Sequence, residues 1–270
     1  MQPLIRKFVR DSRKTLIWTA IGVGVYVALI MTFFPTIAAQ GDQFNEILET
    51  YPEEIVATFY AGDIADFKID DPAIFLQTEA VIWIILIMGG MITQQVLGGT
   101  INAERENKMD LLLSLPVSRR EILMGRVINS AILALVGLTA IFLPVALVQP
   151  FMDSFHIAPD RLALGIYTGF FLLMVQASLT FALTSISPAY TRWAGPLAFT
   201  YFFGAYLLMA FAPSIDWIDA ISPLFVFKYY NMADVINNGL DVTNVLVMVV
   251  VIMALLGVAF WRFDEKDIAV

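Results

Sequence analysis

The chain contains no cysteine and a single histidine, His156. The lack of thiols excludes disulfides, thiolate zinc sites and cysteine nucleophiles. A lone histidine in a short loop is typical of a solvated side chain, so the sequence predicts no metal site. The phosphate-loop pattern G-x-x-x-x-G-K-S/T is also missing from the sequence. The chain therefore carries no P-loop nucleotide site of its own.

Charge is scarce as well, because only 15% of the 270 residues are charged whereas 59% are hydrophobic. Soluble domains usually hold about 25% charged residues. Several apolar runs are about 20 residues long, which is enough to cross a hydrocarbon core of roughly 30 Å. The sequence therefore predicts an all-α polytopic membrane protein. The predicted spans are 15–37, 80–101, 122–149, 162–187, 194–212 and 242–261.

The basic residues are distributed unevenly between the two sides of these spans. All lysines and arginines except Lys68, Arg161 and Lys228 fall on the side that holds both termini. Cytoplasmic segments of membrane proteins carry an excess of lysine and arginine. We therefore predict that both termini are cytoplasmic.

Three segments outside the spans carry apolar residues at helical spacing. Segment 1–14 places Leu4, Ile5 and Phe8 opposite basic residues, which predicts an amphipathic helix in the membrane interface or a simple positive anchor beside the first span. Segment 38–79 is acidic and predicts short amphipathic helices on the outer surface. Segment 213–241 is too apolar for an ordinary loop and too broken to cross. It predicts a re-entrant or interfacial hairpin.

The most informative segment, called the elbow here, is 103–121 on the cytoplasmic side. Its first half is charged and its second half is apolar, which suits a short helix along the membrane surface. Pro116 disfavours helix at the preceding residue and ends this element. Ser118 and Glu121 have the spacing of a capping box, so a new helix begins there. From these residues alone, the elbow either docks a partner protein or turns at the membrane surface without one.

Three segments of the sequence carry short motifs in a fixed order. The first runs through the elbow and consists of Glu104-Arg105-Glu106, Lys108, Leu112-Leu113, Pro116, Ser118-Arg119 and Gly125-Arg126. The second is 221–239, with Ser222-Pro223-Leu224-Phe225 and Tyr229-Tyr230, and the third is the tail 261–268. Together they resemble the ABC-2 class of ABC transporter permeases. Two positions depart from the family pattern: Asn107 replaces a glycine and also tolerates a left-handed turn, and Lys266 replaces an arginine.

The resemblance implies one permease domain over 1–270, without its own ATPase site, in a prokaryotic cell membrane. It implies an exporter that works as a dimer with itself or a related permease, driven by a separate ABC ATPase that binds ATP and magnesium. Lipid and these proteins would be the partners, with no nucleic acid. The elbow would be the coupling helix seated in the ATPase. The residues implied in that contact are Glu104, Arg105, Glu106, Lys108, Leu111, Leu112, Leu115, Pro116 and Arg119.

Polar residues inside the predicted spans are candidates for the translocation path, namely Gln94, Gln95 and Gln176. Such groups usually face protein or water in a bilayer, and hydrogen bonds between helices are the simpler interpretation. The predicted span centres lack Asp, Glu, Lys and Arg. Ion-coupled secondary transport therefore has no obvious carrier residue. It remains an alternative, together with a membrane anchor or sensor that transports nothing.

Overall fold

The computed structural model describes residues 2–48, 50–51, 67–98, 118–186, 191–212 and 215–265, and within these the regular elements are helices without strands. Six helical segments among the described residues are long and apolar enough to cross a membrane. The all-α polytopic fold predicted from the sequence is confirmed. In chain order these spans are Arg13–Ala39, Pro72–Leu97, Arg119–Val148, Pro159–Ile186, Thr191–Phe211 and Val242–Glu265.

The second span begins eight residues earlier than the hydropathy pattern places it, so that 72–79 belong to the helix and not to the outer loop. Asp71 starts the helix by accepting hydrogen bonds from the amides of Ala73 and Ile74 at 2.8 and 3.0 Å. Polar residues follow in a π-helical turn, Gln77–Val81. The Gln77 side-chain oxygen accepts from the distant Ala233 amide at 2.7 Å, and this contact makes its burial tolerable.

The first span has a break near its far end and is almost continuous with the helix that precedes it. Its main helix, Arg13–Met31, is separated from Phe34–Ala39 by two turn residues. The N-terminal helix, Gln2–Asp11, precedes it with only Ser12 between them. Ser12 has helical backbone angles, and the helical hydrogen bonds run through it from Phe8 to Leu16. The N-terminal helix therefore extends the first span.

Short helices pack on the spans at the end opposite to the termini. They are Gly41–Leu48, Asp216–Ile221, the 3-10 turns Ser222–Leu224 and Val226–Tyr229, and Met232–Asn238. Tyr230 anchors the last of these segments, since its hydroxyl donates to the Gly165 carbonyl of the fourth span at 3.4 Å. Burial raises the pKa of this hydroxyl, which keeps it protonated as a donor.

The fourth span lies at the centre of the molecule and the first and sixth lie at its edge. In their most apolar windows, 67% of the fourth span is buried, against 17% of the first and 11% of the sixth. The first and sixth spans consequently present most of their surface to lipid or to another protein. The second span is also largely buried, but one of its faces remains open beside the first span.

Candidate functional site

Most of the elbow lies outside the described residues, and the structure describes the helix ends from which it departs. The second span is described to Gly98 and the chain resumes at Ser118. Arg119 is the first residue of the third span, although its side chain is not described. The other residues implied in ATPase contact therefore stay predictions: Glu104, Arg105, Glu106, Lys108, Leu111, Leu112, Leu115 and Pro116.

The third span begins with the capping box expected from the sequence. The Ser118 hydroxyl accepts from the Glu121 amide at 3.2 Å, and the Glu121 carboxylate accepts from the Ser118 amide at 2.8 Å. These two bonds satisfy amides that a helix start otherwise leaves unpaired. The capping box is confirmed, and it fixes the residue at which the elbow becomes a helix.

The N-terminal helix packs in parallel along the first turns of the third span. Leu4 and Ile122 form one small buried cluster, with Phe8 packed against it. Phe8 lies next to Gly125, where a Cβ atom would stand 2.9 Å from its ring. Leu4 and Phe8 on the apolar side of this helix therefore pack on protein, and its predicted place in the membrane interface stays a prediction. The physical reason is that Gly125 leaves room for an aromatic ring between the helices.

Arg126 lies at the centre of this contact and is only 6% exposed. Its guanidinium carbon stands 5.9 Å from the centroid of the Phe8 ring, within the range of a cation–π interaction. The basic residues of the N-terminal helix itself, Arg6, Lys7 and Arg10, are exposed. The helix thus buries its apolar stripe on the third span and presents its cations outward.

Four polar side chains form what we call the polar junction: Ser12, Gln95, Asn129 and Ser130. The Ser12 hydroxyl accepts from Asn129 at 2.9 Å and from Gln95 at 3.3 Å. The Ser130 hydroxyl donates to the Gln95 side-chain oxygen at 3.3 Å. Asn129 and Ser130 are buried, so these bonds are made in a largely apolar setting, where unpaired polar groups are costly.

The polar junction connects the two ends of the elbow to the N-terminal helix. Gln95 lies near the described end of the second span, and Asn129 lies about 15 Å along the third span from its first residue at 1.5 Å per residue. Ser12 belongs to the joint between the N-terminal helix and the first span. The polar junction therefore links the second and third spans to the start of the first span by side-chain hydrogen bonds.

The three glutamines considered for the translocation path lie in three different environments. Gln94 is exposed on the open face of the second span, and Gln95 belongs to the polar junction. Gln176 is fully buried and donates to the Thr93 hydroxyl at 2.7 Å. Gln176 and Gln95 thus make hydrogen bonds between helices. The structure does not bring the three together into one surface.

Sequence reasoning missed Glu79, which lies inside the second span. It was assigned to the outer loop because the polar run Gln77-Thr78-Glu79 interrupts the hydropathy pattern. The Asp71-Pro72 start of the helix was the available signal, since aspartate at an N-cap followed by proline is a common helix beginning. An ionisable side chain within a membrane helix is expensive and usually has a functional partner.

The six apolar spans and the capped start of the third span fit a polytopic membrane subunit. A comparison with curated proteins gave no match. The family model described as ABC-2 family transporter protein matches residues 2–268, nearly the whole chain. In such transporters the permease is the membrane subunit and a separate ABC ATPase is its partner. The chain therefore belongs to the ABC-2 transporter family and is a multi-pass permease subunit.

Proposed function

We propose that this permease exports its substrate across a prokaryotic cell membrane, using ATP that a separate ABC ATPase binds with magnesium and hydrolyses. The elbow, 103–121, is the coupling helix that rests in a groove of that ATPase. ATP-driven closure of the ATPase pair pushes the elbow and shifts the spans between two arrangements. The substrate then passes between two permease copies, either identical or related.

The polar junction is the observation that carries this proposal. It joins the helices at both ends of the elbow to the joint between the N-terminal helix and the first span. Leu4 and Phe8 also pack on the third span in the same region. We expect these contacts to make the first three spans move together when the ATPase displaces the elbow.

The distribution of basic residues indicates on which side of the membrane the elbow lies. With both termini cytoplasmic, the lysine and arginine excess lies inside, as membrane insertion favours. The elbow then lies on the side where ATP is available. The exposed cations Arg6, Lys7 and Arg10 face anionic lipid headgroups on that side.

The test is co-purification with the ABC ATPase encoded beside this permease, for the unchanged chain and for Glu104→Ala and Leu112→Asp. We expect a stable complex with the unchanged chain, and weaker association or lower ATPase activity with both elbow variants. Glu46→Ala removes an exposed carboxylate from the short helix Gly41–Leu48 on the opposite side and serves as the control. Association and ATPase activity that are unchanged in both elbow variants would contradict the coupling role.

Ion-coupled secondary transport is the alternative, and Glu79 is the observation in its favour. The Glu79 carboxylate lies inside the second span and is a candidate ion carrier. The hydropathy pattern had assigned this residue to the outer loop. Transport assayed with an ATPase subunit that binds but cannot hydrolyse ATP separates the two mechanisms. Loss of transport supports the ABC mechanism, whereas transport that follows the proton or sodium gradient supports the alternative.

A further inference from the structure

The first and second spans enclose a groove of about 450 Å³ on the edge of the molecule. Its walls are mainly apolar and include Trp18, Gly22 and Tyr26 from the first span and Trp83 and Met91 from the second. Trp18 is 70% exposed and Trp83 is 36% exposed, so aromatic surface is open along it. Sites for small organic molecules usually have volumes of about 300–1,000 Å³ and walls of this composition.

Gly22 creates the free space in the middle of the groove. A Cβ atom built there would meet no other heavy atom within 4 Å. Two helices packed closely through a glycine would bring atoms of the partner into that space, as Met88 does at Gly137. The gap at Gly22 therefore leaves the width of a side chain or a ligand between the two spans.

Glu79 lies next to one end of the groove, beside the lining residue Tyr26, and is not itself one of the lining residues. It lies about one helical turn before Trp83, and Tyr26 donates to its backbone carbonyl at 2.8 Å. The Glu79 carboxylate is on the side of the helix that Trp83 shares, because side chains four residues apart lie on one face of a helix. Among the described residues, no ion pair or hydrogen bond to this carboxylate is found, and it is half-buried. A half-buried carboxylate without a partner is stabilised most by a cation.

The aromatic walls also favour a cation, because the faces of tryptophan and tyrosine rings attract positive charge. The Trp83 ring is held in an edge-to-face contact with Tyr206 of the fifth span, with the centroids 6.4 Å apart. A metal ion fits poorly, since calcium takes about 6–8 oxygen ligands and the groove is mainly apolar. An organic cation needs one counter-charge and apolar surface for its body, and the groove provides both.

We propose that this groove binds a lipophilic organic cation, with its positive centre at Glu79 and Tyr26 and its apolar body along Trp83, Gly22 and Trp18. The first span is mostly unburied, so such a molecule enters from the membrane and not from water. The proposal names a substrate class and rests on the proposed export function for the step that follows binding. Binding itself requires neither the ATPase nor transport.

The test measures binding to the purified full chain in nanodiscs, with binding to empty nanodiscs subtracted. Tetraphenylphosphonium is the cationic probe, and triphenylphosphine oxide is a neutral probe with a similar aromatic body. We expect saturable binding of the cation, detected through tryptophan fluorescence, and affinity for the neutral probe weaker by about tenfold or more. Equal binding of both probes would overturn the proposal.

Two variants separate the charge from the cavity. Glu79→Gln keeps the shape of the side chain, and we expect it to remove the preference for the cation. Gly22→Leu fills the groove and is expected to weaken binding of both probes. Gly257→Leu is the matched control, because a Cβ atom at Gly257 in the sixth span also meets nothing within 4 Å. Unchanged cation binding in Glu79→Gln or in Gly22→Leu contradicts the proposal.

A second copy of the chain is the competing occupant of the groove. In Trp83→Cys, efficient disulfide cross-linking between two copies in the membrane would show that protein covers this face, and the cation site would be rejected. Failure here leaves the elbow experiment unaffected, because association with the ATPase is measured separately. The two proposals can therefore fail independently.

Discussion

At the scale of single residues, Thr93 shows how a polar side chain is accommodated inside the spans. Thr93 is 2% exposed, accepts from Gln176 and donates to the Gly89 carbonyl at 2.9 Å. Hydrogen bonds between membrane helices average about 0.6 kcal/mol, but a donor left without a partner costs more. This threonine therefore holds the second and fourth spans in register at the centre of the molecule.

Thr93→Val tests this bond, since valine has the shape of threonine without the hydroxyl. The Gln176 amide loses its acceptor, and we expect the apparent Tm in detergent to fall by an amount equivalent to about 1 kcal/mol. Thr93→Ser keeps the hydroxyl and is the matched control. A loss in Thr93→Ser as large as that in Thr93→Val would show that packing, and not the hydrogen bond, sets the stability here.

At the scale of elements, capping side chains mark where the second and third spans begin. Asp71 starts the second span before a polar turn, and Ser118 starts the third span before two arginines. In the third span the first helical residues are too polar to be assigned to a membrane span by their composition, and in the second span the polar turn Gln77–Val81 has the same effect. The caps therefore carry information about the fold that a hydropathy average removes.

Asp71→Ala should loosen the first turn of the second span. The Ala73 and Ile74 amides lose their acceptor, and loss of such a cap costs about 1 kcal/mol. Hydrogen exchange of these amides is the measurement, with faster exchange confined to the first turn as the expected result. Asp42→Ala, in the short helix Gly41–Leu48, is the control. Unchanged exchange would show that packing of Phe75 and Leu76 alone fixes the helix start.

At the scale of the whole molecule, the first span places the N-terminal helix and the helix Gly41–Leu48 on opposite sides of the membrane. The absence of cysteine makes this arrangement easy to test, because one introduced thiol is the only one in the chain. Asp11 and Asp42 are both exposed and lie on either side of the first span.

We expect Asp42→Cys to react with a membrane-impermeant maleimide in intact cells, and Asp11→Cys to react only after the membrane is opened. This outcome follows from the lysine and arginine excess on the side of the termini. Labelling of Asp11→Cys alone in intact cells would mean the inverted orientation. The elbow would then lie outside the cell, and coupling to a cytoplasmic ATPase would be excluded.

The sequence by itself determined the features that depend on neighbouring residues. Apolar runs of about 20 residues predicted six spans, and the spacing of Ser118 and Glu121 predicted the helix start at the end of the elbow. Short motifs in the correct order indicated the family that residues 2–268 match. Each of these signals lies within a few helical turns, so no knowledge of the packing was needed.

Only the tertiary structure decided which side chains face protein and which remain open. Gln77 is paired with Ala233 and Gln176 with Thr93, partners that are 156 and 83 residues away in the sequence. The N-terminal helix packs on the third span because Gly125 leaves space for Phe8, and the groove between the first and second spans is open at Gly22, where no side chain fills it. The sequence of an amphipathic or polar segment predicts that it needs a neighbour but does not identify that neighbour. Packing between distant segments determines whether that neighbour is lipid, protein or a ligand.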